Sequence, residues 1–236
     1  MTQELERIYE RVQLVRGMGD RARGRLCVMS FVAWLAGEKH SDSPATASVV
    51  ITRYAILIND AMPAVMRERL KPFAPRIIGT RDGHDRLRVE MMVEFFRSDL
   101  MPLVTKDFGS LFWRPGLRPT MCLPARLDVL NEALDRVVEA VRTRDDEVVL
   151  HDAAAVVGRL FAYCGARAST AAKRDSYWLA AITLLDRLCD LRAEDCQYPS
   201  PLSLSAINEL LPSRKPPNFQ AQVLQRVRNL IPTVGW

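Results

Sequence analysis

The sequence predicts an all-α fold: a compact orthogonal multi-helix domain of about nine or ten helices with little or no β-structure. Three observations carry that expectation. Apolar residues recur at three- and four-residue spacing, as in Leu127, Leu130, Leu134, Val137 and Val141, with Arg126, Asp128, Glu132, Asp135, Arg136 and Glu139 between them. Pro and Gly divide the chain into helix-length pieces. No segment sustains the apolar–polar alternation, bounded by glycine turns, that marks hairpins.

The elements follow in order. A first helix is expected over residues 3–16, stopped by Gly17-Met18-Gly19. A second covers 24–36, because residues 26–37 (LCVMSFVAWLAG) are charge-free and Gly37 suits a C-cap. Ser43-Pro44 matches a cap followed by Pro at the first helical position, opening a third helix that ends near Asn59. Pro63 opens a fourth, which ends before Pro72 or Pro75. Asp82 is the candidate N-cap of a fifth helix carrying Leu87, Met91 and Phe95 on one face, with Pro102 bending or ending it. Residues 106–124 hold several Pro and Gly but also Phe108, Leu111, Phe112 and Trp113, so an ordered loop is expected. Residues 148–164 are apolar and Ala-rich, which predicts a helix buried on several sides. Trp178, Ile182, Leu185 and Cys189 form another stripe, and Phe219, Val223, Val227 and Leu230 a last one. The whole chain, 1–236, is expected to be a single domain, with subdomains 1–106 and 124–236 as the alternative.

A hydrophobic share of 48% allows a core without metal or disulfide staples. The net charge of +5 permits a polyanion as partner without requiring one. Five Cys, an odd number at irregular spacing, fit a reducing compartment rather than a disulfide framework. The first residues, Thr2 to Arg7, show no apolar signal region, and residues 26–37 fall short of the roughly 20 needed to span a bilayer. A cytoplasmic protein without membrane contact is expected.

Candidate chemistry is sparse. Glu38, His40 and Asp42 place three ionisable groups just after a helix end. With Asp60 they would form the carboxylate–imidazole set that suits a divalent metal, so His40, Asp42 and Asp60 are the candidate metal ligands. Thr80 and Arg81 lie in a turn, Gly79 to Gly83, able to meet an anion, although the P-loop pattern is missing. The plain alternative is that Glu38 and Asp42 are turn and cap residues. His84-Asp85 and His151-Asp152 look like the metal pairs of helical phosphohydrolases, but only three His are present. Arg11, Arg16, Arg21, Arg23 and Arg25 form a basic segment that suits phosphate contact, without the aromatic interleaving of a base-stacking surface. Arg67, Arg69, Lys71, Arg76 and Arg81 form a second basic cluster. There is no nucleophile elbow and no Cys with a neighbouring His. No cofactor is expected.

Cys27-x-Met29, Val32-Ala33, Leu35-Ala36-Gly37-Glu38 and Ser41-Asp42-x-Pro44 form a pattern that resembles uncharacterised bacterial and phage helical proteins. Asn59-Asp60, Arg69-Leu70-x-Pro72 and Pro75-Arg76-x-x-Gly79-Thr80 extend it, so residues 27–80 carry the likeness. It implies no activity and directs attention to the polar loop and to Asn59-Asp60. The function expected is that of a non-enzymatic binding or regulatory protein acting through protein–protein contacts, self-association or nucleic acid. The terminal segment rich in Gln220, Gln222, Gln225, Arg226 and Arg228 adds to that expectation. An enzyme with a metal or anion site at the 38–42 loop and Asp60 is the first alternative, and a structural subunit of a larger assembly the second.

Overall fold

The computed structural model describes residues 3–108, 127–144 and 146–191. These all belong to one compact unit, Met1–Leu202; a second unit, Ser203–Trp236, lies outside the described residues, as do the expected last helix and residues 109–124 of the expected 106–124 loop. The described chain is mostly helical. Helices of eight residues or more are α1 (Gln3–Arg11), α2 (Val28–Leu35), α3 (Val49–Ala61), α6 (Asp85–Phe95), α7 (Met101–Phe108), α8 (Leu127–Thr143), α9 (Glu147–Arg167) and α10 (Ala171–Asp190); α4 (Ala64–Arg67) and α5 (Ala74–Ile77) are single turns. That is fewer than the nine or ten expected of the whole chain; among the described residues, the expected fourth helix folds instead as short α and 3-10 turns around Pro72 and Pro75.

A small sheet corrects the all-α expectation. β1 (Gln13–Leu14), β2 (Gly19–Asp20) and β3 (Arg25–Leu26) pair in the order β1-β3-β2. β1 runs parallel to β3 and β2 antiparallel to it. The first helix therefore ends at Arg11 rather than Arg16. Beyond it Val12 and Leu14 turn inward while Gln13 faces solvent, a strand period of two over too few residues to stand out.

α9 is the central helix and packs on α3, α6, α8 and α10. By length and apolarity it would pass for a bilayer span, but ten of its residues are buried inside the protein. Two glycines permit its close packing. A Cβ on Gly158 would lie 2.9 Å from Leu57 Cδ1, and one on Gly165 would lie 2.3 Å from the Trp178 ring. The expected stripes face this core: Leu134 and Val141 on α8, and Trp178, Leu185 and Cys189 on α10, are buried. Tyr54 of α3 donates to the Ala181 carbonyl of α10 at 2.9 Å, which fixes the register of those two helices.

Pro102 does not end its helix. A π-helical turn, Phe96–Leu100, carries α6 into α7, so the ladder is already reset where the proline lacks its N–H. The third helix likewise starts later than Ser43-Pro44 suggests. Ser48 is the N-cap of α3, its hydroxyl accepting from Ile51 N at 3.1 Å.

Gly165→Ala is expected to lower stability by about 1–3 kcal/mol in urea unfolding, because Trp178 is fully buried and has nowhere to move. The loss should exceed the helix-propensity gain of about 1 kcal/mol that the same change brings.

Candidate functional site

α2 and α3 run antiparallel, with Val28 at the start of α2 bonded to Asn59 near the end of α3. Glu38, just after α2, therefore sits at the beginning of α3, and Asp60 sits at its far end. The 13 residues of α3 separate them by about 20 Å. The structure does not gather the proposed carboxylate–imidazole set. Among the described residues no group of three or more His, Cys, Asp or Glu is placed to hold a metal.

Glu38, Asp60, Thr80 and Arg81 each have a local task. Glu38 accepts from Ala45 N at 2.7 Å, Thr46 N at 3.1 Å and the Thr46 hydroxyl at 2.8 Å, closing the loop that enters α3. His40 and Asp42 lie half-buried in that loop, and Asp42 is near enough to Cys27 for its charge to add to the effect of burial, which pushes that thiol up. The Thr46 carbonyl accepts from Gly79 N and Arg81 N, so Thr80 and Arg81 belong to the same region as Glu38. The Thr80 hydroxyl is buried, accepts from Ser48 N at 3.0 Å and donates to the Ile77 carbonyl. Arg81 is exposed and pairs with Glu147 at 2.6 Å.

Beside Thr80 lies a buried ionic cluster that sequence reasoning missed. Arg88 is 0% exposed. Its guanidinium donates to both oxygens of Asp82 at 2.8 and 2.7 Å, to Asp85 at 3.0 Å, and to the carbonyls of Thr80 and Leu191. The Leu191 contact sets a cation at the C-terminal end of α10. Asp85 accepts from the Ser48 hydroxyl and from Val49 N. Burial alone would raise the Asp82 carboxyl, but hydrogen bonds from Arg88 and His84 N outweigh it and hold it below the usual carboxylate range. Arg88, Asp82 and Asp85 are all paired, so the cluster joins α3, α6 and α10, and His84 stands beside it with Nδ1 3.4 Å from Asp82. The only hint in the sequence was the Asp85–Arg88 spacing of three, which also describes countless surface pairs.

A second polar cluster, at the far end of α3, holds the small sheet. Asn59 Oδ1 accepts from Val28 N, and its amide donates to the Val15 carbonyl and to Asp60. Asp60 accepts from Gly17 N at 2.9 Å. Buried Arg67 donates to the carbonyls of Asn59 at 2.6 Å, Met62 at 2.8 Å and Leu14 at 3.5 Å. Glu68 accepts from Leu14 N at 2.9 Å. The free edge of β1 is thus satisfied by side chains instead of by another strand.

This sheet bears the basic segment. Arg16, Arg23 and Arg25 are exposed and Arg21 is half-buried. Arg25 lies in register with Gln13 on one side and Asp20 on the other. Arg23 pairs with Asp20 at 3.2 Å, whereas Arg16, Arg21 and Arg25 have no acidic partner among the described residues. Burial lowers the Arg67 guanidinium from its ordinary value, and the like charge of Arg16 lowers it further. Two backbone approaches need glycine. A Cβ on Gly19 would meet the Arg25 carbonyl at 2.2 Å, and one on Gly24 the Arg11 carbonyl at 2.7 Å, both at positive φ.

Thiol chemistry has no support among the described cysteines. Cys27, Cys164 and Cys189 are buried thiols outside any disulfide; burial, then the Asp107 charge, pushes the Cys164 thiol up to about 12. Cys122 and Cys196 lie outside the described residues.

Removing Arg88 should be severe: Arg88→Met leaves Asp82 and Asp85 in the interior without their cation, at a cost of about 3–5 kcal/mol in urea unfolding. The depressed Asp82 carboxyl adds stability that is complete above its ordinary value of 3.8 and is lost as pH falls through the lower folded value. Acid titration of unfolding should therefore show a limb below about pH 4 that Asp82→Asn flattens.

No protein-family model matches this sequence, and no curated protein or solved structure matches it.

Proposed function

We propose that this chain is a non-enzymatic binding protein that takes the phosphate backbone of nucleic acid on its N-terminal sheet. The observation that carries the proposal is the placement of charge. Residues 11–25 contain five Arg and one Asp, a balance of +4, against +5 for the whole chain. Four of these arginines, Arg16, Arg21, Arg23 and Arg25, lie on or beside one small sheet, whose backbone is clamped by Asn59, Asp60, Arg67 and Glu68.

The chemistry suits phosphate. A guanidinium offers a planar fork of donors that pairs with two phosphate oxygens at once. Arg76, Arg81, Arg88, Arg97 and Arg142 are matched to acids, while Arg69, Arg144, Arg159 and Arg174 lie singly on other exposed surfaces. At the sheet the nearby carboxylates of Asp60 and Glu68 are turned to backbone N–H groups. Arg16, Arg21 and Arg25 keep their donors for an external anion, and phosphate near Arg16 would also relieve its repulsion with Arg67.

The alternative of a structural subunit rests on the apolar residues of 108–113 and 219–230, all but Phe108 outside the described residues.

Anisotropy titration of a labelled duplex against salt tests this function. With phosphate contacts from Arg16, Arg21 and Arg25 the log–log slope should approach about −2.7, and each of Arg16→Gln, Arg21→Gln and Arg25→Gln should make it shallower by about 0.9. Absence of binding at low salt, or an unchanged slope in the triple variant, would overturn it.

A further inference from the structure

We infer that Met18 is a wedge that enters between base steps of double-stranded nucleic acid while the arginines around it hold the phosphates; this rests on the proposed role of the sheet. Met18 stands at the tip of the turn joining β1 to β2, between Gly17 at φ 64° and Gly19 at φ 82°. It is 44% exposed, a large apolar side chain facing solvent in the middle of the basic segment. The turn is not a loose loop. The Met18 carbonyl accepts from Cys27 N at 3.3 Å, Gly17 N is held by Asp60, and Gly19 lies directly against the Arg25 backbone. The space beside Gly17 is open, with no atom within 4 Å of where its Cβ would be. The fold therefore presents an apolar side chain on a fixed support, with Arg16 before it and Arg21, Arg23 and Arg25 after it.

The partner follows from that chemistry. Single strands are usually held by aromatic side chains on which bases stack, and residues 11–25 contain none. A bilayer requires more apolar area than one thioether side chain supplies. Proteins that deform duplexes through the minor groove combine arginines on the backbone with an inserted apolar side chain, Met among them, and the insertion kinks the helix. Met also has three rotatable bonds and a polarizable sulfur, so it adapts to the irregular gap of an unstacked step. Contact of this kind reads deformability rather than base edges, so flexible pyrimidine–purine steps should bind best.

The test uses the full chain and a short duplex with 2-aminopurine at a central TA step and dyes at its ends. Binding should raise the 2-aminopurine fluorescence and shorten the end-to-end distance. Met18→Ala should abolish both signals and weaken binding roughly tenfold, while Met18→Leu restores them. A duplex bound with steep salt dependence but bent equally by wild type and Met18→Ala would overturn the wedge and leave the phosphate-binding function standing. Tighter binding to the same sequence as a single strand, or Met18-dependent binding to phosphatidylserine vesicles without duplex distortion, would also overturn it. No duplex binding at low salt would remove both proposals.

Discussion

Helix α3 ends inside the protein in both directions, and that constraint organises the described fold. A helix leaves its first N–H groups and its last carbonyls without partners of its own. Water satisfies them at an exposed end; here side chains from distant segments must. At the start of α3, Ser48 and Asp85 take the free N–H groups, while Thr80 takes Ser48 N. At the other end, Arg67 takes the carbonyls of Asn59 and Met62. Most of the buried polar side chains among the described residues, Ser48, Asn59, Arg67, Thr80 and Arg88, serve these two ends. Desolvating Arg67 and Arg88 is costly, and only dense hydrogen bonding to carbonyls and carboxylates offsets it.

The two ends have different consequences. The cluster at Ser48 joins α6 and α10 to α3 and so closes the core. The cluster at Asn59 reaches outward and fixes a sheet too small to be stable alone, since its strands are two residues each. The sheet's order is borrowed from α3. Arginines on such a support have less conformational freedom to lose when they meet an anion than arginines on a free tail.

The helical core was legible because its signal is repeated. Trp178, Leu185 and Cys189 on α10 each report the same buried face, as do Leu134 and Val141 on α8, and agreement over several turns is hard to produce by chance. The sheet was not legible, because two residues cannot display a period of two. Ser43-Pro44 satisfied a local capping rule, but Ser48 is the cap because Thr80 and Asp85, more than 30 residues away, meet it there. Arg67 and Arg88 look in sequence like any surface arginine; their burial depends on partners that only the fold supplies. The separation of Glu38 from Asp60 has the same origin. Both follow apolar helices, but antiparallel packing of α2 on α3 sends them to opposite ends. The stripe of Phe219, Val223, Val227 and Leu230 lies outside the described residues.

The basic segment was visible from the start, yet sequence alone could not separate it from an ordinary solvated face. What distinguishes it is where the acids go. Asp60 and Glu68 come close to the sheet but face its backbone, at Gly17 N and Leu14 N. A carboxylate committed to a backbone N–H is held in position and is less able to swing out and neutralise an exposed arginine. The same bonds that order the sheet therefore also hold Asp60 and Glu68 away from Arg16, Arg21 and Arg25. At physiological salt, charges within about 8 Å still act together, and neighbouring strands lie about 4.8 Å apart. The backbone of the sheet is thus compact enough for its arginines to act as a group on the phosphate we propose as ligand, and one set of hydrogen bonds would then supply both the support and the exposed charge.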